Sequence, residues 1–335
     1  MAATSVGHAD SHGRDADRPI GLSGRAWRDI LSRVWRKTGT DNISLLAAGI
    51  AFYAFLSFVP LLAALVMTYG LIADPATIQS HMAMVVDLMP KDAANLVLDQ
   101  LVSLTNTAAG KKGLGLAVAL VIALYGATRA SGAIIMALNV VYEQAERRNI
   151  LQTTALSFAL IVGAVMVAIV GMLAASALAL VGRLANGLGM LATVGINIAT
   201  FAVAALLTSI AIGVCYRVAP DRRDAQWRWV STGSALATLL WLIATLGFGA
   251  YASTIGNYNA TYGSLGAVVI LLMWLWVSAY AILLGAEINA ESERQTAQDT
   301  AIGSDRPQGR RDAVVADQTA DQMADDGRRE TTNAS

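Results

Sequence analysis

Charged residues are scarce in this chain of 335 residues: 14% are Asp, Glu, Lys or Arg, whereas 55% are hydrophobic. A soluble globular protein carries about a quarter charged residues. The deficit argues against an ordinary soluble domain and predicts an integral membrane protein, in keeping with a mean hydropathy of +0.52. The 24 basic and 24 acidic residues give a formal net charge of zero, so we expect no nucleic-acid partner.

Cysteine and histidine are nearly absent as well. Cys215 is the single cysteine, so no intramolecular disulfide can form. The three histidines are His8 and His12 near the N-terminus and His81 after the first apolar segment. Metal-dependent RNA hydrolysis needs clustered His, Asp or Glu, but the histidines of this chain are not clustered with such a set in the sequence. The chain also lacks a phosphate loop, a His-Glu-x-x-His motif and a nucleophile elbow. The sequence therefore predicts no catalytic residues, no metal site and no cofactor.

Long apolar segments fill the middle of the chain. About 20 residues of α-helix cross a hydrocarbon core of about 30 Å, and a single spanning segment must be helical to satisfy its backbone hydrogen bonds. We therefore predict an all-α integral membrane protein with a membrane domain at residues 43–290. Its six transmembrane helices are expected at about 43–73, 113–142, 150–182, 184–216, 229–252 and 263–287.

Three further segments complete the predicted organisation. Residues 1–42 are polar and basic, so no cleavable signal peptide is visible and the first span is expected to remain as a signal anchor. Residues 74–112 have apolar positions at helical spacing, which predicts two short amphipathic helices in an outer loop. Residues 291–335 are rich in polar residues and poor in apolar ones, which predicts a disordered cytoplasmic tail.

The basic residues predict the orientation, because positively charged loops are retained in the cytoplasm. They gather before span one, between spans two and three, and between spans four and five. Both termini are therefore predicted to be cytoplasmic. The residues concerned are Arg25, Arg28, Arg33, Arg36, Lys37, Arg147, Arg148, Arg217, Arg222, Arg223 and Arg228.

Pro60 lies within the first span. Proline removes a backbone donor and frees the carbonyl four residues earlier, here at Leu56. Membrane helices tolerate this where a hydroxyl, a neighbouring helix or water satisfies the freed group, and Ser57 lies one turn before Pro60. We expect a local kink, which either makes room for another helix or forms a hinge or cavity wall.

Three sequence motifs carry a resemblance to a known family. They are "LAAGIAFYAFLSFVPLL", "SGAIIMALNVVY" and "YGSLGAVVILLMWLWVSAYAILLGAEINAE". Together they resemble the YihY and virulence factor BrkB family of inner-membrane proteins, over roughly residues 30–294. The resemblance implies a six-helix bacterial inner-membrane protein. It also implies a family often catalogued as ribonuclease BN, with a poorly defined activity and transport commonly suspected.

Polar side chains within apolar helices are costly, so they are the candidate functional residues. Arg129 lies about 24 Å along span two, and Glu287 lies at the end of span six. Either the two form an ion pair, structural or gating, or Arg129 snorkels to the headgroups, or its guanidinium receives a lipid phosphate.

Asn139, Tyr142 and Asn289 could extend this polar cluster, although interhelical hydrogen bonds explain them equally well. In span three, a stripe of small residues predicts close helix packing. Its members are Gly163, Ala164, Ala168, Gly171 and Ala175.

The sequence therefore favours a transporter or translocase of a lipid or small amphiphile, with membrane lipids as partners. A scaffold for envelope proteins, without transport activity, explains the same residues as structural contacts. A membrane ribonuclease is disfavoured because no catalytic constellation is visible. A homo-oligomer is compatible with the sequence, which does not determine it.

Overall fold

The protein is predominantly helical in the part of the chain that the structure, a computed structural model, describes: residues 18–69, 112–184, 190–254, 264–302, 306–320 and 322. These ranges contain no β-strand, and an isolated antiparallel bridge joins Ala225 to Ala301. The helices are α1 Gly24–Thr40, α2 Ile43–Tyr69, α3 Lys112–Val141, α4 Ile150–Leu184, α5 Met190–Val218, α6 Trp227–Thr254, α7 Ser264–Arg294 and α8 Val314–Asp317.

The long helices confirm an all-α membrane protein. Five of them are long and apolar enough to cross a membrane, and a sixth is added if the bent pair α1 and α2 counts as one span. Helices α2 to α7 begin and end within a few residues of the six predicted spans, with two larger differences. Helix α5 begins at Met190 and not at 184, and α7 continues beyond 287 to Arg294. The span count itself stays a prediction. The amphipathic helices expected at 74–112 lie outside the described residues, apart from Lys112.

The six long helices form a ring in chain order. Each of α2 to α6 contacts the helix that follows it, and α7 closes the ring by packing against α2. Helix α7 also contacts α1, α3 and α8. It is therefore the helix on which the other elements converge.

The main buried cluster lies at one end of this ring. Leu138, Tyr142 and Tyr216 are near the helix ends that the basic loops join, and Leu283 of α7 belongs to the same cluster. We call this end the capped end; it is covered by α1 and by residues 143–149, 219–226, 295–302 and 306–320. Leu271 and Phe248 are buried farther from that end. Away from it, residues 162–173 of α4 are exposed or half-buried on every face of the helix.

The small-residue stripe of α4 does not mediate close packing within the described chain. A Cβ atom added to Gly163 or Gly171 would meet no atom within 4 Å. The close approaches lie elsewhere, at Gly126 on α3, Gly233 on α6 and Gly285 on α7. The stripe prediction was wrong because small residues permit a close approach without specifying which helix makes it.

Helix α1 is an amphipathic helix that the sequence analysis treated only as a basic segment. Ser23 caps its N-terminus by accepting a hydrogen bond from the Ala26 backbone amide at 3.3 Å. Ile30 and Val34 are buried in one cluster with Ile288 of α7. The chain then bends by 62° between α1 and the first part of α2. Helix α1 is therefore docked on the capped end and is not a loose tail.

Helix α2 continues through Pro60 to Tyr69. The hydroxyl of Ser57 donates to the Ala54 carbonyl at 2.8 Å, so Ser57 does not satisfy the carbonyl of Leu56 as anticipated. Ser57 instead marks the closest approach of α3, because a Cβ on Gly126 would lie 2.7 Å from the Cβ of Ser57. A glycine at 126 is what allows α2 and α3 to touch at this level.

The prediction of a disordered tail from residue 291 is wrong for residues 291–302 and 306–320. The backbone of Gln226 donates to Thr300 at 2.8 Å, and that of Ile302 donates to Asp224 at 2.9 Å. The buried guanidinium of Arg311 donates to the carbonyls of Ala297, Gln298, Arg306 and Ala316. The composition argument failed because polar contacts, not a large apolar core, order this segment.

Replacing Gly285 with alanine should destabilise the capped end. The new Cβ would lie 2.9 Å from both the Cα of Ala237 and the hydroxyl oxygen of Tyr216, and such overpacking costs about 1–3 kcal/mol. We expect a lower thermal unfolding midpoint in detergent. Gly249→Ala is the matched control, because its Cβ enters open space and alanine is the better helix former. An unchanged midpoint in Gly285→Ala would contradict the close packing of α6 and α7.

Candidate functional site

The predicted polar residues occupy two separate places. Glu287, Asn139, Tyr142 and Asn289 are buried at the capped end. Arg129 is exposed on α3, and its guanidinium carbon lies 5.2 Å from the ring centroid of Tyr125.

Arg129 and Glu287 do not form the ion pair that was one of the alternatives. Glu287 lies on α7 two residues before Asn289, whose side chain contacts Tyr142. Tyr142 is 13 residues beyond Arg129, about 20 Å along α3. The two charges are therefore at different levels of the bundle. Measuring the depth of Arg129 from the start of span two placed this residue too close to the level at which α7 ends.

Tyr142 and Asn289 come together, and Asn139, one turn before Tyr142, has partners of its own at the same end of the bundle. The amide of Asn289 donates to the Tyr142 hydroxyl at 3.1 Å. Asn139 donates to Glu146 at 2.9 Å and accepts from the backbone amide of Asp221 at 2.8 Å. A Cβ at Gly233 would lie 2.5 Å from that of Asn289. The lack of a side chain at Gly233 therefore leaves room for the amide of Asn289. These contacts tie α3, α6, α7 and two loops to one another.

A buried ion pair lies against the ring of Tyr142. Arg222 donates to both carboxylate oxygens of Glu293, at 2.8 and 3.1 Å, and both side chains are almost completely buried. The guanidinium carbon of Arg222 is 4.0 Å from the Tyr142 ring centroid, a cation–π distance. Burial alone would lower the pKa of Arg222, but Glu293, Tyr142 and Asp224 together outweigh it and raise that pKa. Burial raises the pKa of Tyr142, which stays a neutral phenol.

A second group of charges joins α1 to the end of α7. Arg33 donates to Glu291 at 2.6 Å, and Arg294 lies 2.7 Å from Glu143. Lys37 forms an ion pair with Glu143 and lies 4.0 Å from Glu291. Burial alone would raise the pKa of Glu143, but Arg294 and Lys37 together outweigh it and lower that pKa. We call these five residues the α1–α7 charge cluster.

Glu287 borders this cluster but lacks its own cation. Its side chain is fully buried, and neither carboxylate oxygen has a hydrogen-bond donor. Its carboxyl group instead faces that of Asp41, within hydrogen-bonding reach. The capped end therefore contains a buried carboxyl group that the surrounding side chains leave without a donor.

Sequence reasoning missed most of these ionic residues. Arg33, Lys37 and Arg222 had been explained by topology, and Glu291 and Arg294 had been assigned to the disordered tail. One signal was available: Glu287, Glu291 and Arg294 are spaced i, i+4 and i+7, so they share one face of a continued helix. Among the described residues, no group of three His, Cys, Asp or Glu side chains is arranged to hold a metal ion.

Removing one partner of the buried pair should be far more costly than removing both. Arg222→Met leaves the Glu293 carboxylate buried and uncompensated, which costs about 3–5 kcal/mol. We expect a strongly lowered unfolding midpoint, largely restored in the double variant Arg222→Met, Glu293→Leu. Arg306→Ala is the control, since its pair with Asp312 is exposed and worth little. Additive losses in the double variant would show that the two side chains act independently.

The lowered pKa of Glu143 predicts a stability contribution that depends on pH. A carboxyl with a depressed folded-state pKa stabilises the protein above its unfolded pKa of about 4.3 and loses that effect as the pH falls through the folded value. Glu143→Gln should therefore lower the unfolding midpoint at pH 7, and its difference from the wild type should shrink in acid. Asp312→Asn, at an exposed pair, should change little at either pH. A Glu143→Gln deficit that persists in strong acid would contradict this assignment.

Comparison with known proteins agrees with this architecture. The family model described as Virulence factor BrkB matches residues 34–309. YfkH of Bacillus subtilis (strain 168), named as a ribonuclease-like protein, is 28% identical over 267 residues, which cover 78% of this chain and 93% of YfkH. The UPF0761 membrane protein RSc1559 of Ralstonia nicotianae (strain ATCC BAA-1114 / GMI1000) is 29% identical over 265 residues, 76% of this chain and 56% of that protein.

A third relative extends the same relationship. The UPF0761 membrane protein RC1_0578 of Rhodospirillum centenum (strain ATCC 51521 / SW) is 25% identical over 272 residues, 78% of this chain and 56% of its own length. The chain thus spans little more than half the length of these two UPF0761 relatives. No solved structure matches it. Because the family model covers most of the sequence, the chain belongs to the virulence factor BrkB family of membrane proteins.

Proposed function

We propose that this membrane protein translocates a lipid or small amphiphile across the bacterial inner membrane. The observation that carries the proposal is Arg129, a charged side chain exposed in the middle of an apolar helix. It lies 12 residues before the end of α3 at Val141, about 18 Å along the axis. That distance is more than half of a hydrocarbon core of about 30 Å.

The surroundings of Arg129 supply no counter-charge. Val118, Ile122, Tyr125, Met136 and Val140 lie at helical spacing on the same exposed side of α3. Arg129 stacks near Tyr125 and makes no ion pair with any residue in the described ranges. An arginine at the centre of a membrane helix costs at least about 2.5–3.5 kcal/mol. Its planar donors suit phosphate oxygens, so the phosphate of a lipid headgroup is the anion we assign to it.

The shape of the ring supports a pathway that is closed at one end. The capped end is packed and tied by buried ion pairs. Farther along, the side chains of α4 from 162 to 173 are exposed or half-buried on every face of the helix. A bundle closed on one side and accessible on the other is what an alternating-access transporter requires.

The orientation rests on the positive-inside rule. The capped end carries the basic loops, including Arg147, Arg148 and Arg217, and such loops are retained in the cytoplasm. Both termini are then cytoplasmic, and the accessible part of the ring faces the outer side. A scaffold without transport activity would use the same capped end, but it offers no reason for an exposed arginine within the span.

Lipid translocation by the purified protein in liposomes tests the proposal. A labelled phospholipid in the inner leaflet is followed by its accessibility to an external quencher. Wild type should accelerate the exchange, and Arg129→Ala should reduce it about tenfold or more, because a charge-assisted hydrogen bond is worth about 1.5–3 kcal/mol. Arg129→Lys should retain part of the activity, since the charge remains without the planar fork.

Met136→Ala is the matched control, because Met136 lies on the same exposed side of α3 and carries no charge. Its translocation rate should equal that of the wild type. All variants are compared at equal incorporation and equal unfolding midpoint. No translocation by wild-type protein would remove phospholipids as the substrate and favour the scaffold. Equal rates for wild type and Arg129→Ala would remove Arg129 from the pathway.

A further inference from the structure

We infer that Glu287 and Asp41 form a carboxyl pair that binds one proton between them at the capped end. This proton site is separate from the proposed lipid translocation and does not depend on it. It lies where α7 meets the bend between α1 and α2.

The first observation is the burial of Glu287 without a donor. Its relative exposure is 0%. Both of its carboxylate oxygens and Oδ2 of Asp41 lack a hydrogen-bond partner. A buried charge is tolerated only when it is paired and hydrogen-bonded. Neither condition is met for an ionised Glu287, so this side chain requires a ligand that the chain does not provide.

The second observation is the direct approach of the two carboxyl groups. The side chains of Glu287 and Asp41 lie within hydrogen-bonding reach of each other. Two carboxylates in contact repel, and both can accept hydrogen bonds but neither can donate one. One proton resolves both problems, because the O–H of one carboxylic acid then donates to the carboxylate of the other. Carboxyl groups that share a site bind a proton in this way.

The third observation is the balance of charge around the pair. The carboxyl groups facing this region are those of Asp41, Glu143, Glu287 and Glu291. The cations are Arg33 and Lys37 of α1 and Arg294 of α7. Four carboxyl groups against three cations leave one negative charge in excess, and one bound proton removes it.

Each cation is already shared with other carboxylates. Lys37 lies 3.6 Å from Oδ2 of Asp41, but it also pairs with Glu143 and approaches Glu291. Arg33 donates to Glu291 at 2.6 Å, and Arg294 serves Glu143 and Glu291. Tyr142, directly after α3, is a buried neutral phenol and supplies no cation. No neighbouring residue in the described ranges therefore neutralises Glu287 fully.

Because the pair lies between the α1–α2 bend and α7, the bound proton affects the contact between these helices. Asp41 is the C-terminal cap residue of α1, and Asn42 after it has a φ of 52°. The shared proton holds this bend against α7. Loss of the proton would place two negative charges in contact and push the bend away from α7. The site thus couples proton occupancy to the contact between α1, α2 and α7.

Infrared spectroscopy of the full-length protein in lipid nanodiscs tests the inference. A protonated carboxyl group has a C=O stretching band separate from that of a carboxylate. At pH 7 the wild type should show this band, and it should shift when the protein carries 13C-carboxyl glutamate or 13C-carboxyl aspartate. Glu287→Gln should abolish the band, whereas Glu146→Gln, at an ion-paired loop carboxylate, should leave it unchanged.

Wild-type protein alone can overturn the inference, so the test survives a variant that fails to fold. Absence of a protonated carboxyl band at pH 7 would show that both groups are ionised. A raised unfolding midpoint in sodium chloride over choline chloride, with no such band, would assign the site to a sodium ion. A band that persists in folded Glu287→Gln would place the proton on another carboxyl group.

Discussion

Buried charge at the end of α7 is the constraint around which the capped end is organised. Glu293 is completely buried, and an unpaired carboxylate there would be strongly destabilising. It therefore needs Arg222 from the loop between α5 and α6. Arg222 in turn needs a surface to stack on, which Tyr142 at the end of α3 supplies. One pairing requirement thus brings three distant parts of the chain to a common position.

The same requirement explains why the ring is closed at one end. The hydrophobic effect does little to join helices within a bilayer, because lipid chains are as apolar as leucine. Small residues and polar contacts must do so instead. Both occur at the capped end, where Gly285 allows α6 and α7 to touch and the α1–α7 charge cluster fastens α1. Residues 162–173 of α4 make no such contact with another described helix and stay accessible. Closure and accessibility are therefore two results of where the polar residues lie.

The helices could be predicted from the sequence because apolar length is a local property. Helix α3, Lys112–Val141, matches the predicted 113–142 almost residue for residue. The site was only partly predictable. Tyr142 and Asn289 were identified because they are polar residues in apolar helices. Their ionic neighbours were not, because the partnership of Arg222 and Glu293 joins residues 71 apart and no local pattern reports it. Helix α1 was readable from its periodicity but was interpreted through its charge alone.

Closure at the capped end, with α4 accessible around its middle, is the central claim, and side-specific cysteine labelling tests it most directly. On a Cys215→Ser background, single cysteines at four consecutive positions, 165–168 of α4, sample every face of that helix. Single cysteines at Ala286 and Ala290 sample the capped core. A membrane-impermeant maleimide should label at least one α4 position from the outer side only, and neither core position from either side. Labelling of Ala286→Cys or Ala290→Cys from the cytoplasmic side, or of α4 from that side alone, would contradict the account.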